Sequence, residues 1–102
     1  MADFIKSFLE TFREDAMPTI SMFFGIIIRM YNSGEHNPPH FHAFYGDYKA
    51  VFDFDGELTK GSMPPRQCKL IAAWAELHRE ELAANWNLAM EEEPLYKIDP
   101  LR

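Results

Sequence analysis

The alternation of apolar and polar residues in the middle of the chain predicts a short antiparallel sheet. The segments rich in β-branched and aromatic side chains, which are typical of strands, cover residues 23–31, 40–45, 48–54 and 57–60. Gly46 and Asp47 separate the second and third segments, and a pair with glycine first is typical of a two-residue hairpin loop. Asp55 and Gly56 form a second turn signal before the last segment. We therefore expect three or four antiparallel strands.

Helical spacing replaces this alternation at both ends of the chain. Residues 3–15 carry one apolar stripe, and Asp3 is in the right place to cap a helix there. A second, longer helix is predicted from Ser62 to about Glu93, where Pro94 ends it. Much of its apolar face comes from Leu70, Ile71, Trp74, Leu77, Trp86 and Ala89.

These elements predict an α+β fold with an N-terminal helix, a three- to four-stranded antiparallel sheet, and a long C-terminal helix packed on one face as a two-layer sandwich. The length of 102 residues suits one domain, and 47% hydrophobic residues supply one core. We expect residues 1–16 to be an N-terminal helical extension and residues 17–102 to be a single domain. The apolar stripe of the extension is typical of a core or interface, so it is our candidate for a homo-oligomer contact.

The two-residue loop also fixes which residues face each other in the central hairpin. It pairs Tyr45 with Tyr48, Ala43 with Ala50, and Phe41 with Phe52. All six side chains are apolar or aromatic, so this face of the sheet is expected to meet the helices. A slip of one residue would exchange the two faces, which makes the register a sharp test.

Histidines and charged residues collect on the opposite, outer face. His40 lies opposite Asp53 in this register, and His42 lies diagonally from it, within reach of a side-chain contact. If the isoleucines of the first strand point into the core, Arg29 and Tyr31 join the outer face as well. The sequence therefore predicts one surface on which chemistry-bearing side chains are close together.

These residue types suit metal-free acid–base chemistry on RNA. His40 and His42 are candidates for general acid and base, because imidazole titrates near neutral pH. Asp53 would orient an imidazole, and Arg29 or Lys49 would stabilise a phosphate. In such a cleavage, one imidazole takes the proton of the 2′-hydroxyl and a cation supports the pentavalent phosphorus.

The same histidines are candidates for a metal site. His40 and His42 stand two residues apart on a strand, and the proline-rich loop before them can bring in His36 as a third ligand. Zinc or another divalent transition metal would then be the cofactor, whereas the acid–base hypothesis requires none. Both hypotheses compete with a simpler one, in which the histidines are solvated positions on the wet face of an antiparallel sheet. The chain would then be a non-catalytic protein-interaction module.

Charge and composition limit the classes of partner that we expect. The net charge of −6 discourages nucleic acid, because neutralisation of phosphates supplies most non-specific affinity. The acids are concentrated in the flanking helices, however, and residues 17–70 hold five basic and five acidic side chains, so RNA remains a candidate ligand. The chain has one cysteine, Cys68, an acidic start unlike a signal peptide, and no apolar run long enough to span a bilayer. We expect a cytoplasmic protein with no membrane partner.

Several motifs make the chain resemble a known family. They are residues 17–31, the segment His36-Asn-Pro-Pro-His40-Phe-His42 with the residues up to Gly46, and Trp74, Leu77, His78, Glu81, Leu82, Asn85 and Trp86. Over residues 17–101 these motifs resemble the bacterial domain-of-unknown-function family 4160. Met17 resembles the first residue of that family, which makes the preceding helix an extension.

The resemblance implies a partner rather than an activity. Members of the family are often encoded beside a second small protein, an arrangement similar to a toxin–antitoxin pair. The helix–three strands–helix order is also similar to the double-stranded-RNA-binding-like fold of HicA-type messenger-RNA toxins, which carry a strand histidine. The leading hypothesis is therefore a component of a two-gene, toxin–antitoxin-like module that binds a small protein partner encoded by a neighbouring gene and uses its histidine face on a ligand or on RNA.

Overall fold

Five antiparallel strands, each hydrogen-bonded to the next along the chain, form the sheet of the computed structural model. The structure describes residues 18–31 and 37–102. The strands are β1 Thr19–Phe23, β2 Ile26–Arg29, β3 His40–Tyr45, β4 Tyr48–Asp53 and β5 Leu58–Gly61. Two helices follow, α1 Pro65–Leu77 and α2 Arg79–Met90. The α+β class and the antiparallel sheet are confirmed.

The number of strands was predicted wrongly, because residues 19–23 form an additional strand, and the predicted strand 23–31 begins with the turn that joins this strand to β2. Phe24 and Gly25 form its turn, with φ angles of 49° and 80°, and β1 on the N-terminal side of this turn pairs with β2. Positive φ at both central residues is typical of type I′ hairpin turns, which prefer asparagine, aspartate or glycine. Because Phe24 continues the apolar run, the sequence pattern gives no sign that the chain reverses direction here. The sheet therefore has five strands rather than three or four, and its order is not helix–three strands–helix.

The long C-terminal helix was also predicted wrongly, because it is divided at His78. This residue has φ −119° and ψ 29° and connects α1 with α2. A continuous helix over these residues would be about 39 Å long at 1.5 Å per residue. Since the strands of a sheet twist relative to one another, a straight helix of that length would leave the sheet surface. Buried residues of both helices belong to one core. Division of the helix at His78 allows both halves to pack on this core.

The core lies between the helices and the inner face of the sheet. Trp74 of α1 is fully buried, and the centroid of its ring lies 5.5 Å from that of Phe23 and 5.5 Å from that of Phe41. Phe52 of β4 stacks against Phe41 from the neighbouring strand. Burial of a side chain of this size contributes roughly 1.5–3 kcal/mol. This packing fixes the inner face and thereby determines which residues point outward.

Arg79, the first residue of α2, connects the helices to the turn between β4 and β5. Its guanidinium donates hydrogen bonds to Asp55 and to Glu76, at 2.9 and 2.8 Å. These carboxylates, Glu76 foremost, raise the pKa of the Arg79 guanidinium above its usual value. Both ion pairs of Arg79 are exposed to solvent, and exposed ion pairs contribute little to stability. Their main effect is therefore to orient the start of α2.

The C-terminal residues 94–102 are held by hydrogen bonds to the core. The side chain of Asn85 is buried; its amide donates to the carbonyl of Tyr96 at 2.8 Å and its oxygen accepts the Tyr96 N–H at 2.9 Å. The Ile98 N–H donates to the carbonyl of Ile20 on β1 at 2.7 Å. The indole of Trp74 donates to the carbonyl of Asp99 at 2.9 Å. The tail therefore lies against the β1 edge of the sheet.

Two sequence predictions fall outside the residues that the structure describes. They are the helix at residues 3–15, with its role as an extension and homo-oligomer contact, and the placement of His36. Neither α1 nor α2 is sufficiently long and apolar to cross a lipid bilayer.

Candidate functional site

The predicted register of the central hairpin is confirmed residue by residue. His40 is paired with Asp53, Phe41 with Phe52, and Tyr45 with Tyr48. Phe41 and Phe52 are fully buried on the inner face. The buried residues of both helices pack on that side, and alternate residues of the strands point to the other surface, where only His40 also meets a helix residue, Trp86, among the ring contacts of the described residues. We call this surface the outer sheet face and define it by Arg29, Tyr31, His40, His42, Phe44, Lys49, Val51, Asp53 and Lys60.

A row of four residues crosses the outer sheet face through His42. Arg29 on β2 is the direct partner of His42, and Val51 on β4 is its partner on the other side. Lys60 on β5 is in turn the partner of Val51. Because neighbouring strands are about 4.8 Å apart, Arg29 starts about 5 Å from His42 and Lys60 about 10 Å from it. Both cations have side chains long enough to reach a ligand that sits above this imidazole.

The guanidinium of Arg29 contains a donor that the fold does not use. Its Nε is buried and, among the described residues, has no hydrogen-bond partner. Its Cζ lies 5.5 Å from the centroid of the Phe44 ring, within the range of a cation–π contact. A buried donor without a partner costs about 1–3 kcal/mol.

His40 is held in one tautomer by the loop that precedes it. Its Nδ1 lies 2.9 Å from the carbonyl oxygen of Pro38. A carbonyl oxygen only accepts hydrogen bonds, so Nδ1 is the donor and carries the proton. In neutral His40 the lone pair is therefore on Nε2, the atom that can take a proton or bind a metal. The ring also packs against Trp86 of α2, with centroids 5.1 Å apart, which fixes its orientation.

His42 is surrounded by aromatic rings. The edge of Tyr31 meets it with centroids 4.4 Å apart and planes at 86°, and the His40 ring lies 5.3 Å away at 67°. The predicted approach of the two imidazoles and the addition of Tyr31 to this face are thus features of the structure. The rings of His40, His42 and Tyr31 form one continuous group along β2 and β3.

Asp53 lies where the register predicts, but its carboxylate also serves the fold. Its Oδ1 accepts the N–H of Asp55 at 3.0 Å and that of Glu57 at 2.9 Å. These bonds stabilise the turn between β4 and β5. Asp53 therefore has a structural role, which the sequence analysis missed.

Two shallow cavities meet above the His42 row. One of about 490 Å³ is lined by the proline loop, His40, His42 and Asp53. The other, of about 470 Å³, is lined by Tyr31, Phe44, Lys49 and other residues of β3 to β5. His42, Val51 and Lys60 line both cavities. Lys60 was missed in the sequence analysis, since the glycine-bounded segment 57–60 carries no alternation strong enough to assign its faces.

The described residues supply two of the three histidines of the metal hypothesis. His40 and His42 are close together, but His36 lies outside the part of the chain that the structure describes. Within residues 18–31 and 37–102, no group of three or more histidine, cysteine, aspartate or glutamate side chains is arranged to hold a metal ion.

The chain matches a known protein family. The family model of a domain of unknown function, DUF4160, matches residues 25–87. No curated protein and no solved structure matches the chain. The matched span covers more than half of the chain and runs from the β1–β2 turn almost to the end of α2, so it includes the whole outer sheet face. The chain therefore belongs to the DUF4160 family.

Proposed function

We propose that this chain is a component of a two-gene, toxin–antitoxin-like module and that its outer sheet face binds RNA. The observation that carries the proposal is the row Arg29, His42, Val51 and Lys60, which places one cation on each side of an imidazole. Arginine and lysine are the side chains that bind nucleic-acid phosphates. A small protein encoded by a neighbouring gene would be the partner that controls access to this face.

The distribution of charge supports the same proposal. The outer sheet face carries Arg29, Lys49 and Lys60 against one acid, Asp53. By contrast, residues 71–102 hold three basic and seven acidic side chains. The net charge of −6 therefore belongs to other parts of the molecule, and the local balance of this surface favours an anion.

The two histidines can act on RNA as an acid–base pair. His40 is suited to be the base, because its lone pair is on Nε2 when Pro38 holds the Nδ1 proton. His40 takes the proton of a ribose 2′-hydroxyl, whose oxygen attacks the adjacent phosphorus. His42 in its protonated form gives a proton to the 5′-oxygen as its bond to phosphorus breaks. The products are a 2′,3′-cyclic phosphate and a 5′-hydroxyl, and the step consumes no co-reactant.

Arg29 would stabilise the charge of the transition state in this reaction. It is the direct cross-strand neighbour of His42, and its guanidinium is always charged. A positioned cation of this kind acts most strongly where phosphate oxygens gain charge. Asp53, opposite His40, would stabilise the positive charge of the imidazolium that forms when His40 takes the proton, while its Oδ1 continues to hold the turn.

Induced expression in a bacterial host tests the proposal. The wild type is expected to arrest growth, and His42→Ala is expected to abolish the arrest. Asn87→Ala, an exposed change on α2, is the matched control and should arrest growth like the wild type. RNA from arrested cells should carry new 2′,3′-cyclic phosphate ends. The proposal is wrong if well-expressed wild type neither slows growth nor binds RNA in purified form.

A second candidate function is metal binding, which the proximity of His40 and His42 favours. The hydrogen bond from His40 Nδ1 to Pro38 is the kind of outer contact that orients a metal-binding imidazole. Zinc or another divalent transition metal would be the ion, with His36 as third ligand. Elemental analysis of protein purified without an affinity tag tests this candidate. Less than stoichiometric metal, with unchanged melting in chelator, would eliminate it.

A further inference from the structure

The cavity beside the His42 row has the size of a small-molecule pocket. Its volume of about 470 Å³ lies within the range of 300–1,000 Å³ found for sites that hold drug-sized ligands. Its walls come from β3, β4 and β5 together with Tyr31. This volume is large enough for one nucleotide and too small for a base pair with its two backbones.

Aromatic rings occupy one side of this cavity. Tyr31, His42 and Phe44 all line it, and Tyr31 meets His42 at right angles. Tyr31 follows β2, whereas His42 and Phe44 alternate with inward residues along β3. Exposed aromatic side chains on a sheet are the usual platforms on which single-stranded bases stack. The polar rings can in addition form hydrogen bonds with base edges.

Lys49 and Lys60 line the same cavity, and Arg29 lies beside one of its residues. Lys49 is the direct strand partner of Phe44, and Lys60 is the strand partner of Val51. Arg29 stands beside Phe44, with its Cζ 5.5 Å from the ring centroid. Phosphate oxygens are the groups of a nucleic acid that arginine and lysine side chains bind.

We infer that the ligand of the outer sheet face is single-stranded RNA and that this cavity holds one of its nucleotides. The base packs against Tyr31, His42 and Phe44, and the phosphate oxygens are bound by Arg29 with Lys49 or Lys60. In duplex RNA the bases are paired and stacked, so they do not enter a cavity on a sheet surface. This inference rests on the proposed function and names the class of RNA for the same site.

Fluorescence anisotropy with three labelled probes tests the inference. The probes are a single-stranded 8-nucleotide RNA that cannot pair with itself, the blunt duplex of this RNA with its complement, and an 8-unit ribose–phosphate chain without bases. The single strand is expected to bind at least tenfold more tightly than either of the other probes. Phe44→Leu should weaken the single strand about tenfold and leave the other two unchanged. Tyr48→Leu changes an aromatic residue of the same hairpin that lies outside the cavity, so it should leave all three unchanged.

Two further variants separate stacking from loss of structure. Phe44→Tyr keeps the ring and should bind the single strand like the wild type, which excludes a folding defect as the cause of the loss in Phe44→Leu. Lys60→Ala removes a cation and should weaken all three probes, because each carries phosphates.

The outcomes distinguish this inference from the proposed function. Equal affinity for the three probes, or equal weakening by Phe44→Leu and Phe44→Tyr, overturns the inference but leaves RNA binding by the outer sheet face intact. Absence of binding to every probe at low salt overturns both.

Discussion

Arg29 on β2 faces His42 on β3 across one strand pair, and the Arg29 Nε is buried without a hydrogen-bond partner among the described residues. The hairpin that forms β1 and β2 sets this relationship, since it fixes which residues of β2 point outward. A protein retains a donor of this kind at some cost to its stability. We therefore expect Arg29 to lower the stability of the fold while it increases the affinity for a ligand.

Replacement of Arg29 by methionine tests that conflict. Arg29→Met removes the unused donor and keeps an unbranched side chain over Phe44, so the free energy of unfolding should stay unchanged or rise by up to about 1 kcal/mol. RNA affinity should fall at least tenfold, which corresponds to about 1.4 kcal/mol. Urea denaturation and anisotropy measure the two effects. A loss of more than about 1 kcal/mol in stability would show that the guanidinium serves the fold instead.

Gly61 at the end of β5 should tolerate no side chain. Its φ is +83°, and a Cβ there would meet the carbonyl oxygen of Lys49 and lie 2.9 Å from the Cα of Ala50. Gly61→Ala should lower the free energy of unfolding by about 3 kcal/mol, from the left-handed backbone and the steric overlap together. Gly46→Ala is the control, because its φ is +55° and nothing lies within 4 Å. Gly46→Ala should lower the free energy of unfolding by only about 1–2 kcal/mol. Equal losses in the two variants would contradict the steric argument.

Asn85 is expected to hold the C-terminal tail. Asn85→Ala removes both hydrogen bonds to Tyr96 and should lower the free energy of unfolding by about 2–3 kcal/mol. Limited proteolysis should then cleave within residues 94–102 sooner than in the wild type. Asn87→Ala, on the exposed side of the same helix, should change the free energy by less than about 0.5 kcal/mol. Similar values for the two variants would show that the tail is not held by this side chain.

Phe24 is expected to destabilise the β1–β2 turn. Its φ is +49° and its ring is largely exposed, so it bears the cost of the left-handed backbone with little burial in return. Phe24→Asn, followed by Gly25, creates the preferred type I′ pair and should raise the free energy of unfolding by about 0.5–1 kcal/mol. Phe24→Leu should bring no such gain. A loss of stability in Phe24→Asn would show that the ring contributes to packing.

The outer sheet face was predictable because one short motif determines it. Gly46 and Asp47 leave only one register for β3 and β4, and alternation then assigns every side chain of the hairpin to a face. The inward positions are all apolar or aromatic, which favours this register over a slip by one residue. His40, His42 and Asp53 were located by the same argument.

The hairpin at Phe24 and the bend at His78 could not be predicted in this way. Phe24 is an unfavourable turn residue within an apolar run, so the pattern favours a continuous strand. At His78 the hydrogen bonds from His78 N–H to Trp74 and from Leu82 N–H to His78 continue the helical ladder. Buried positions on both sides of the break also keep helical spacing, as in Trp74 and Leu82, and no glycine or proline marks the break.

The cations of the outer sheet face act before any contact is made. Arg29, Lys49 and Lys60 give this one surface a positive local potential, although the molecule as a whole is acidic. A polyanion that approaches would rotate the protein into a sheet-first orientation, and such orientation raises association rates about tenfold or more. A protein that is acidic as a whole can in this way meet an acidic ligand without general affinity for it.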